Sequence, residues 1–380
     1  METLGPRALN RALLARQGLL EPFDMAPELV AARIGAIQAQ YWPSVAVALW
    51  ARTGGLDRAA VDRALSEGRL LLGSLLRGTL HVVPADQHPA YAVTSADAGE
   101  TGWRKIVDHL GFDAVQLRAD ALAHIGAAPT PLPELGAHIE KWLHRTAPEL
   151  DGDAQLAVRR GSWRWVRSTA PFVRASTAER WTEKAPDLYR AAPYWLEETA
   201  PDPDQALAEV VRIHLGAFGP ASAQDLAYWI GERRMPRIKA ALEALDPAPV
   251  GFRDEAGREL WDLSDAPRPD PDTEAPPRLL PWFDSTMLAY HPSRREHLVP
   301  ERCRDVIYLP NNLQILPTIL IDGMVADTWT LTLRARAGAL ELKPVDPVGA
   351  ATRRRLLAEG ERLLEFLRPA GKSNAVTLAS

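Results

Sequence analysis

Residues 219–263 read GPASAQDLAYWIGERRMPRIKAALEALDPAPVGFRDEAGRELWDL, and they set the fold expected of the whole chain. Gly219-Pro220-Ala221-Ser222 is a turn that ends in a helix cap, and a helix is expected over 223–230. Met235-Pro236 opens a second helix to Leu245, because proline suits the first helical turn. Val250 to Arg253 and Glu259 to Leu263 then read as two strands around a turn at Glu255-Ala256-Gly257. With the preceding helix over 205–218, the order is helix, turn, helix, turn, helix, two-stranded ribbon: the outline of a winged helix.

Upstream, the outline recurs. Residues 6–19, a helix from Met25-Ala26-Pro27-Glu28 up to Pro43, residues 43–53 and residues 57–67 read as helices. LLLGSLLRGTLHVVP over 70–84 reads as two strands around a turn near Arg77-Gly78. A second copy has a helix over 113–125, a helix start at TPLPEL (130–135) capped by Thr130, a short helix over 155–160, and strands at 162–167 and 172–175. The starts TPLPEL and PASAQDL (220–226) are alike enough to suggest one unit used repeatedly. Residues 266–278 are rich in Pro and Asp and read as a linker. Strands follow at 304–309, 315–321, 324–333 and 339–342, with a tight hairpin turn at Ile321-Asp322-Gly323-Met324, a last helix over 349–367 and a loose tail from Pro369. The expected class is α+β, mainly α. Three tandem winged-helix units (1–100, 101–198, 199–270) precede a β-rich region at 279–370.

Composition narrows the function. A 46% hydrophobic, 24% charged chain of 380 residues is an ordinary globular protein. Its single cysteine, Cys303, excludes a disulfide framework and a cysteine-rich zinc site, and fits a reducing cytoplasm. METLGPRALNRALLARQ is not expected to be a signal peptide, and no apolar run has the length of a membrane span. The net charge of −5 argues against indiscriminate coating of nucleic acid, yet arginines cluster at 159–174, 233–237 and 294–295. Walker A, GxGxxG, HExxH and GxSxG are absent, and the nine histidines lack metal spacing, so neither cofactor nor metal is expected.

Gln38 and Gln40 stand out for their setting, at the end of an apolar helix and just before Tyr41-Trp42-Pro43. On a helix, positions i and i+2 diverge; in an extended exit before Pro43 they share one side. Two carboxamides would then converge beside an aromatic pair, at the negative end of the helix dipole. On local chemistry alone, two surface or capping glutamines are the readier reading.

LNRALLARQGLL (9–20), IQAQYWPSVAVALWAR (37–52), SLLRGTLHVV (74–83), LPWFDSTMLAYHPSRREHLVP (280–300) and ILIDGMVADTWTL (319–331) together resemble the winged-helix DNA glycosylases that include bacterial interstrand-crosslink glycosylases. The resemblance covers most of the chain. It implies three tandem winged helices around a concave DNA-facing surface, with Gln38-Ala39-Gln40 as the catalytic motif. The Q-x-Q form resembles the azinomycin-type self-resistance branch of antibiotic clusters; housekeeping members carry aspartate at the second position. The implied substrate is duplex DNA bearing cationic N7-alkylguanine, bulky adducts or crosslinks included, and the implied enzyme is a cytoplasmic monomer. Arg233, Arg234 and Arg237, and Arg164 and Arg167, are expected at phosphates. Trp42 is expected either in the core or stacked on a base. His291, Arg294 and Arg295 are expected in an exposed loop near the site, and the Asp322-Gly323 turn either as a DNA-probing hairpin or as sheet closure. Arg77 to His81 is expected to pack on the catalytic helix. Two other readings stand beside this one: a non-catalytic DNA-binding regulator, and a protein–protein scaffold built from winged helices.

Overall fold

The computed structural model describes residues 1–96, 112–150, 152, 171–176, 178–309, 314–334, 337–368 and 373–379. Arg164 and Arg167, and the helix and strand expected at 155–167, lie outside the described residues.

The first segment holds β1 (Thr3–Leu4), α1 (Pro6–Arg16), α2 (Pro27–Ile34), β2 (Ile37–Gln38), α3 (Pro43–Trp50), α4 (Arg58–Ser66), β3 (Leu70–Ser74), β4 (Leu80–Pro84) and a helix over 88–96, α5. The middle segment has α6 (Ala114–Ile125), β5 (Thr130–Pro131), α7 (Leu132–Thr146), β6 (Phe172–Ala175), β7 (Leu188–Ala191) and the one-turn α8 (Pro193–Leu196). Thr130 is not a helix cap. It pairs with Tyr189 in the sheet, and Pro131 takes the cap position. Then come α9 (Pro203–Phe218), α10 (Ala223–Ile230), α11 (Met235–Glu243), β8 (Val250–Asp254) and β9 (Glu259–Asp262), in the order expected. Ser222 and Asp225 form a reciprocal capping box at the start of α10. Residues 1–100 and 101–198 are not separate sheets. A six-stranded sheet of order β2-β4-β3-β6-β7-β5 runs through both, joined where Leu72 pairs with Arg174 and Gly73 with Val173. β1 pairs in parallel with β8, so the N-terminus closes the third ribbon.

The C-terminal part departs further from expectation. The strand expected at 304–309 is helix up to Ile307, within α12 (Glu301–Ile307), and strand only at Tyr308–Leu309. Pro300 sits at its N-cap, Glu301 in its first turn, and Cys303 and Ile307 share its buried face. After β10 (Arg278–Leu280), the strands β11 (Tyr308–Leu309), β12 (Gln314–Ile315), β13 (Thr318–Ile321), β14 (Met324–Leu333) and β15 (Ala337–Pro344) lead to α13 (Ala350–Leu367). The tail is not loose: Ser373–Leu378 is β16, pairing in parallel with β15 in the sheet β10-β13-β14-β15-β16. Nor is the stretch before β10 a free linker. The guanidinium groups of Arg16, Arg7 and Arg11 on α1 donate to the carbonyls of Pro267, Pro271 and Thr273, which strap it across that helix.

One apolar core draws on residues from Leu13 to Phe366, so the β-rich part and the N-terminal helices fold on one another. Among the buried ion pairs of the described residues, two are bidentate. Arg16 grips Asp262 through two bonds of 2.7 and 2.8 Å. Arg52 grips Asp284 through two bonds of 2.9 Å. Arg52 also donates to Gln17 Oε1, whose amide nitrogen donates to the carbonyls of Ile34 and Ala217.

Removing one partner strands a buried charge, whereas an exposed pair is nearly neutral. Asp284→Ala is therefore expected to cost about 3–5 kcal/mol in urea unfolding. Asp346→Ala, which removes the exposed pair with Arg302, should cost less than about 1 kcal/mol. Equal losses in the two variants would refute the account.

Burial holds four histidines neutral: His81 and His88 are pushed down to about 3, His214 and His297 to about 4. Unfolding returns them to the ordinary value, so the unfolded chain binds more protons. Their contribution is whole above about pH 6.5 and is lost as pH falls toward 4 and 3. Unfolding free energy measured from pH 7.5 to 5.5 should fall, before ordinary carboxylates titrate.

Candidate active site

The chain reaches Gln38 through a forced change of backbone. α2 stops at Ile34 because Gly35 adopts a φ of 77°. A Cβ there would also meet the Phe218 ring at 3.0 Å, so only glycine fits. Residues 36–39 are therefore extended, and the glutamines do not lie on the helix end. Ile37 and Ala39 enter an apolar cluster with Val30, Val45, Leu49 and Val82. Alternation sends Ala36 and Gln38 to the other side, and Gln40 follows in a bend.

β2 pairs antiparallel with β4, Ile37 opposite Val82 and Gln38 opposite His81. The Ala39 amide donates to the Leu80 carbonyl at 2.7 Å. Residues 39 and 80 are thus a hydrogen-bonding pair, and Gln38 with His81 is the closer, non-hydrogen-bonded kind. Gln38 is 7% exposed, and its Oε1 is buried without a hydrogen-bond partner among the described residues. Gln40 is exposed. The next residue, Tyr41, is exposed and lies against Trp282, ring centroids 5.9 Å apart. Trp42 turns inward: its indole donates to the Trp181 carbonyl at 2.6 Å, which favours the core role among its two expected ones.

The stretch is held from behind. Ser285 Oγ donates to the Ala36 carbonyl at 2.7 Å. Ser285 follows Asp284, which Arg52 anchors and which caps its own turn through the Thr286 amide. On the β4 side, the His81 ring is buried, and its Nδ1 lies 2.9 Å from the Thr79 carbonyl. A carbonyl only accepts, so Nδ1 carries the proton and Nε2 keeps its lone pair. Burial first, then the charge of Arg77, hold this ring neutral. Arg77, with φ at 56°, donates to the Trp229 carbonyl on α10, and burial lowers its pKa to about 10. The block from Arg77 to His81 therefore meets α10 through Arg77, pairs with β2, and through β4 packs on α2, the helix that leads into the glutamines.

The expected DNA contacts scatter. Arg233 is exposed before α11. Arg234 and Arg237 both bond the Glu232 carboxylate, and Arg237 also reaches Asp204 at 3.1 Å. His291 to Arg295 is not an exposed loop of free cations. Arg294 is buried and bonds Ser222. Arg295 is buried, donates to the Tyr290 carbonyl at 3.0 Å and stacks over the Tyr308 ring at 4.6 Å. His291 is part-buried, its amide on Asp225 and its Nδ1 on Ser293. Arg7 and Arg11 bind Asp322, and Asn10 donates to the Gly323 carbonyl, so the turn closes on α1. A Cβ at Gly323 would meet Asn10 Oδ1 at 2.4 Å. Of its two expected roles, this packing favours sheet closure.

Sequence reasoning took Tyr41 only with Trp42, as an aromatic pair, and did not single out Trp282, Ser285, Arg52 or Asp284. Their only signal was position inside the blocks 37–52 and 280–300, which the fold brings together. Among the described residues, no cluster of three or more His, Cys, Asp or Glu is placed to hold a metal ion. No helix among them is long and apolar enough to cross a membrane.

Comparison with known proteins bears on the family and the fold. An interstrand DNA cross-link repair glycosylase of Streptomyces sahachiroi is 22% identical over 312 residues, 80% of this chain and 81% of that protein. The solved structure of Streptomyces sahachiroi DNA glycosylase AlkZ superposes with a TM-score of 0.75 at 17% identity, covering 98% of this chain and 100% of that one. At that identity the match speaks to the fold, a mixed α+β architecture. The sequence model of the family described as DNA glycosylase AlkZ-like matches residues 31–366, which displaces the regulator and scaffold readings. The chain belongs to the AlkZ-like DNA glycosylases.

Proposed function

We propose that this glycosylase hydrolyses the N-glycosidic bond of cationic N7-alkylguanine in duplex DNA. Bulky adducts and interstrand crosslinks are included, and Gln38 and Gln40 carry the chemistry. The observation that carries the reading is the Gln38 carbonyl oxygen: buried, without a hydrogen-bond partner among the described residues, and two residues before exposed Gln40. An N7-alkylated guanine is positively charged and leaves readily, so a general acid is dispensable. What remains is to stabilise an oxocarbenium sugar and hold a water. A carboxamide oxygen does both, by turning its dipole to the developing cation and by accepting from water. Neither glutamine can protonate a neutral base, so uracil and 1,N6-ethenoadenine fall outside the range.

The same reading takes the chain as three tandem winged helices presenting a concave face to DNA. The helix-helix-helix-ribbon order of α9 to β9 supports it. An open face suits a crosslinked lesion, which cannot be extruded into a tight pocket. Exposed Tyr41, backed by half-buried Trp282, offers an aromatic face for stacking beside the glutamines. The Q-x-Q form favours self-resistance to a DNA-alkylating natural product over general repair. A cytoplasmic monomer needing no cofactor is the simplest enzyme of this kind.

Gln38→Ala and Gln40→Ala should each slow single-turnover release of 7-methylguanine by about 10²-fold or more with duplex affinity kept. Unchanged rates in both, or efficient uracil release by the wild type, would sink the assignment. Arg233 is the exposed phosphate candidate. Arg233→Ala should weaken binding equally for all duplex sequences and reduce the slope of log affinity against log salt by about 1 in fluorescence anisotropy. An unaltered slope removes it from the interface.

A further inference from the structure

We infer that His81 holds the attacking water together with Gln38 and takes its proton, resting on the base-release function proposed above. The two side chains stand opposite one another on β4 and β2, at the closer kind of antiparallel pair, with Cβ atoms about 4.5–5.5 Å apart. Both point to the face that also carries Ala36 and Gly73. Both present lone pairs. Gln38 Oε1 has no donor among the described residues, and the Thr79 carbonyl fixes the His81 proton on Nδ1, leaving Nε2 as an acceptor. Two facing acceptors are complementary to one molecule that donates twice, and water is the smallest. A water that gives both protons, one to Oε1 and one to Nε2, turns its own lone pairs outward to a sugar carbon. That is the orientation a nucleophile requires.

The step balances. The C1′–N9 bond breaks, and its electron pair neutralises the N7-alkylguanine cation. The water oxygen bonds C1′, and the proton it sheds goes to His81 Nε2. Glutamine has no useful basicity, so without His81 this proton has no acceptor on the strand pair. Burial and Arg77 make the imidazole a weak base, which keeps it unprotonated at neutral pH. A weak base suffices, because water adding to an oxocarbenium carbon becomes strongly acidic. The resulting imidazolium, beside Arg77, is unstable and passes its proton to solvent, resetting the site. Access lies toward the end of β2, where the chain passes from buried Gln38 to exposed Gln40.

Single-turnover release of 7-methylguanine from a duplex tests this in His81→Ala and His81→Gln, with melting temperature and duplex affinity measured alongside. Both variants should lose about 10²–10³-fold in rate, as loss of a general base does. Added imidazole should restore part of the rate of His81→Ala and none of His81→Gln, whose side chain fills the space; a merely structural role would give no such rescue. A rate within about threefold of wild type in either folded variant overturns the inference, as does a folded His81→Ala that imidazole leaves unchanged. Should His81→Ala not fold, His81→Gln decides, since it keeps the volume and an acceptor oxygen but cannot take the proton. If the wild type releases no base from any N7-alkylguanine duplex, the function proposed above fails instead.

Discussion

The buried pair of Arg52 and Asp284 joins parts of the chain that sequence order keeps 232 residues apart. Arg52 ends the block 37–52 that carries Gln38 and Gln40, and Asp284 heads the turn whose next residue holds the Ala36 carbonyl. Through Gln17, the same guanidinium ties in the end of α2 and the last turn of α9. Every donor of this network meets an acceptor, which is the condition for a buried charge to define one arrangement. The backbone that carries Gln38 is therefore fixed from a distance. A strand of two residues has little intrinsic stability of its own.

Much of this was legible beforehand where local chemistry dictates the outcome. Ser222 with Asp225, Pro at the starts of α2, α3 and α11, and the Asp322-Gly323 turn mark their elements without help from the rest of the fold. The errors fell where tertiary context decides. The stretch 301–307 has the β-branched residues of a strand, yet Pro300 and the burial of Cys303 and Ile307 make it helical. The tail from Ser373 gained its strand only because β15 offered an edge. Proline and aspartate at 266–278 read as a spacer, because nothing local announces that three arginines of α1 will bind its carbonyls.

At the candidate site, an extended backbone was legible and its pairing with β4 was not. Gln38 and Gln40 were found by family likeness, and an extended backbone was anticipated from Pro43. Gly35, the residue that ends α2 early, carried the decisive signal and was overlooked. Arginines misled in a consistent way. Clusters such as 294–295 look like nucleic-acid contacts in a sequence, but a guanidinium is also the side chain best suited to bridging buried carbonyls and carboxylates. In this chain the buried arginines serve the core, and that use is invisible to charge counting.

β2 has one further property, which follows from its place at the rim of its sheet. Along β2, the main-chain groups of Ile37 and Ala39 face β4, so those of Ala36 and Gln38 face outward. The Ala36 carbonyl is taken by the Ser285 hydroxyl. One step on, the peptide N–H and C=O of Gln38 turn to the side of the strand away from β4. An edge of this kind usually invites another chain, and two residues are too few to hold one. A passing nucleotide needs less. Gln38 thus carries a main-chain donor and acceptor not used by β4 as well as its carboxamide, and no substitution of a side chain removes the main-chain pair.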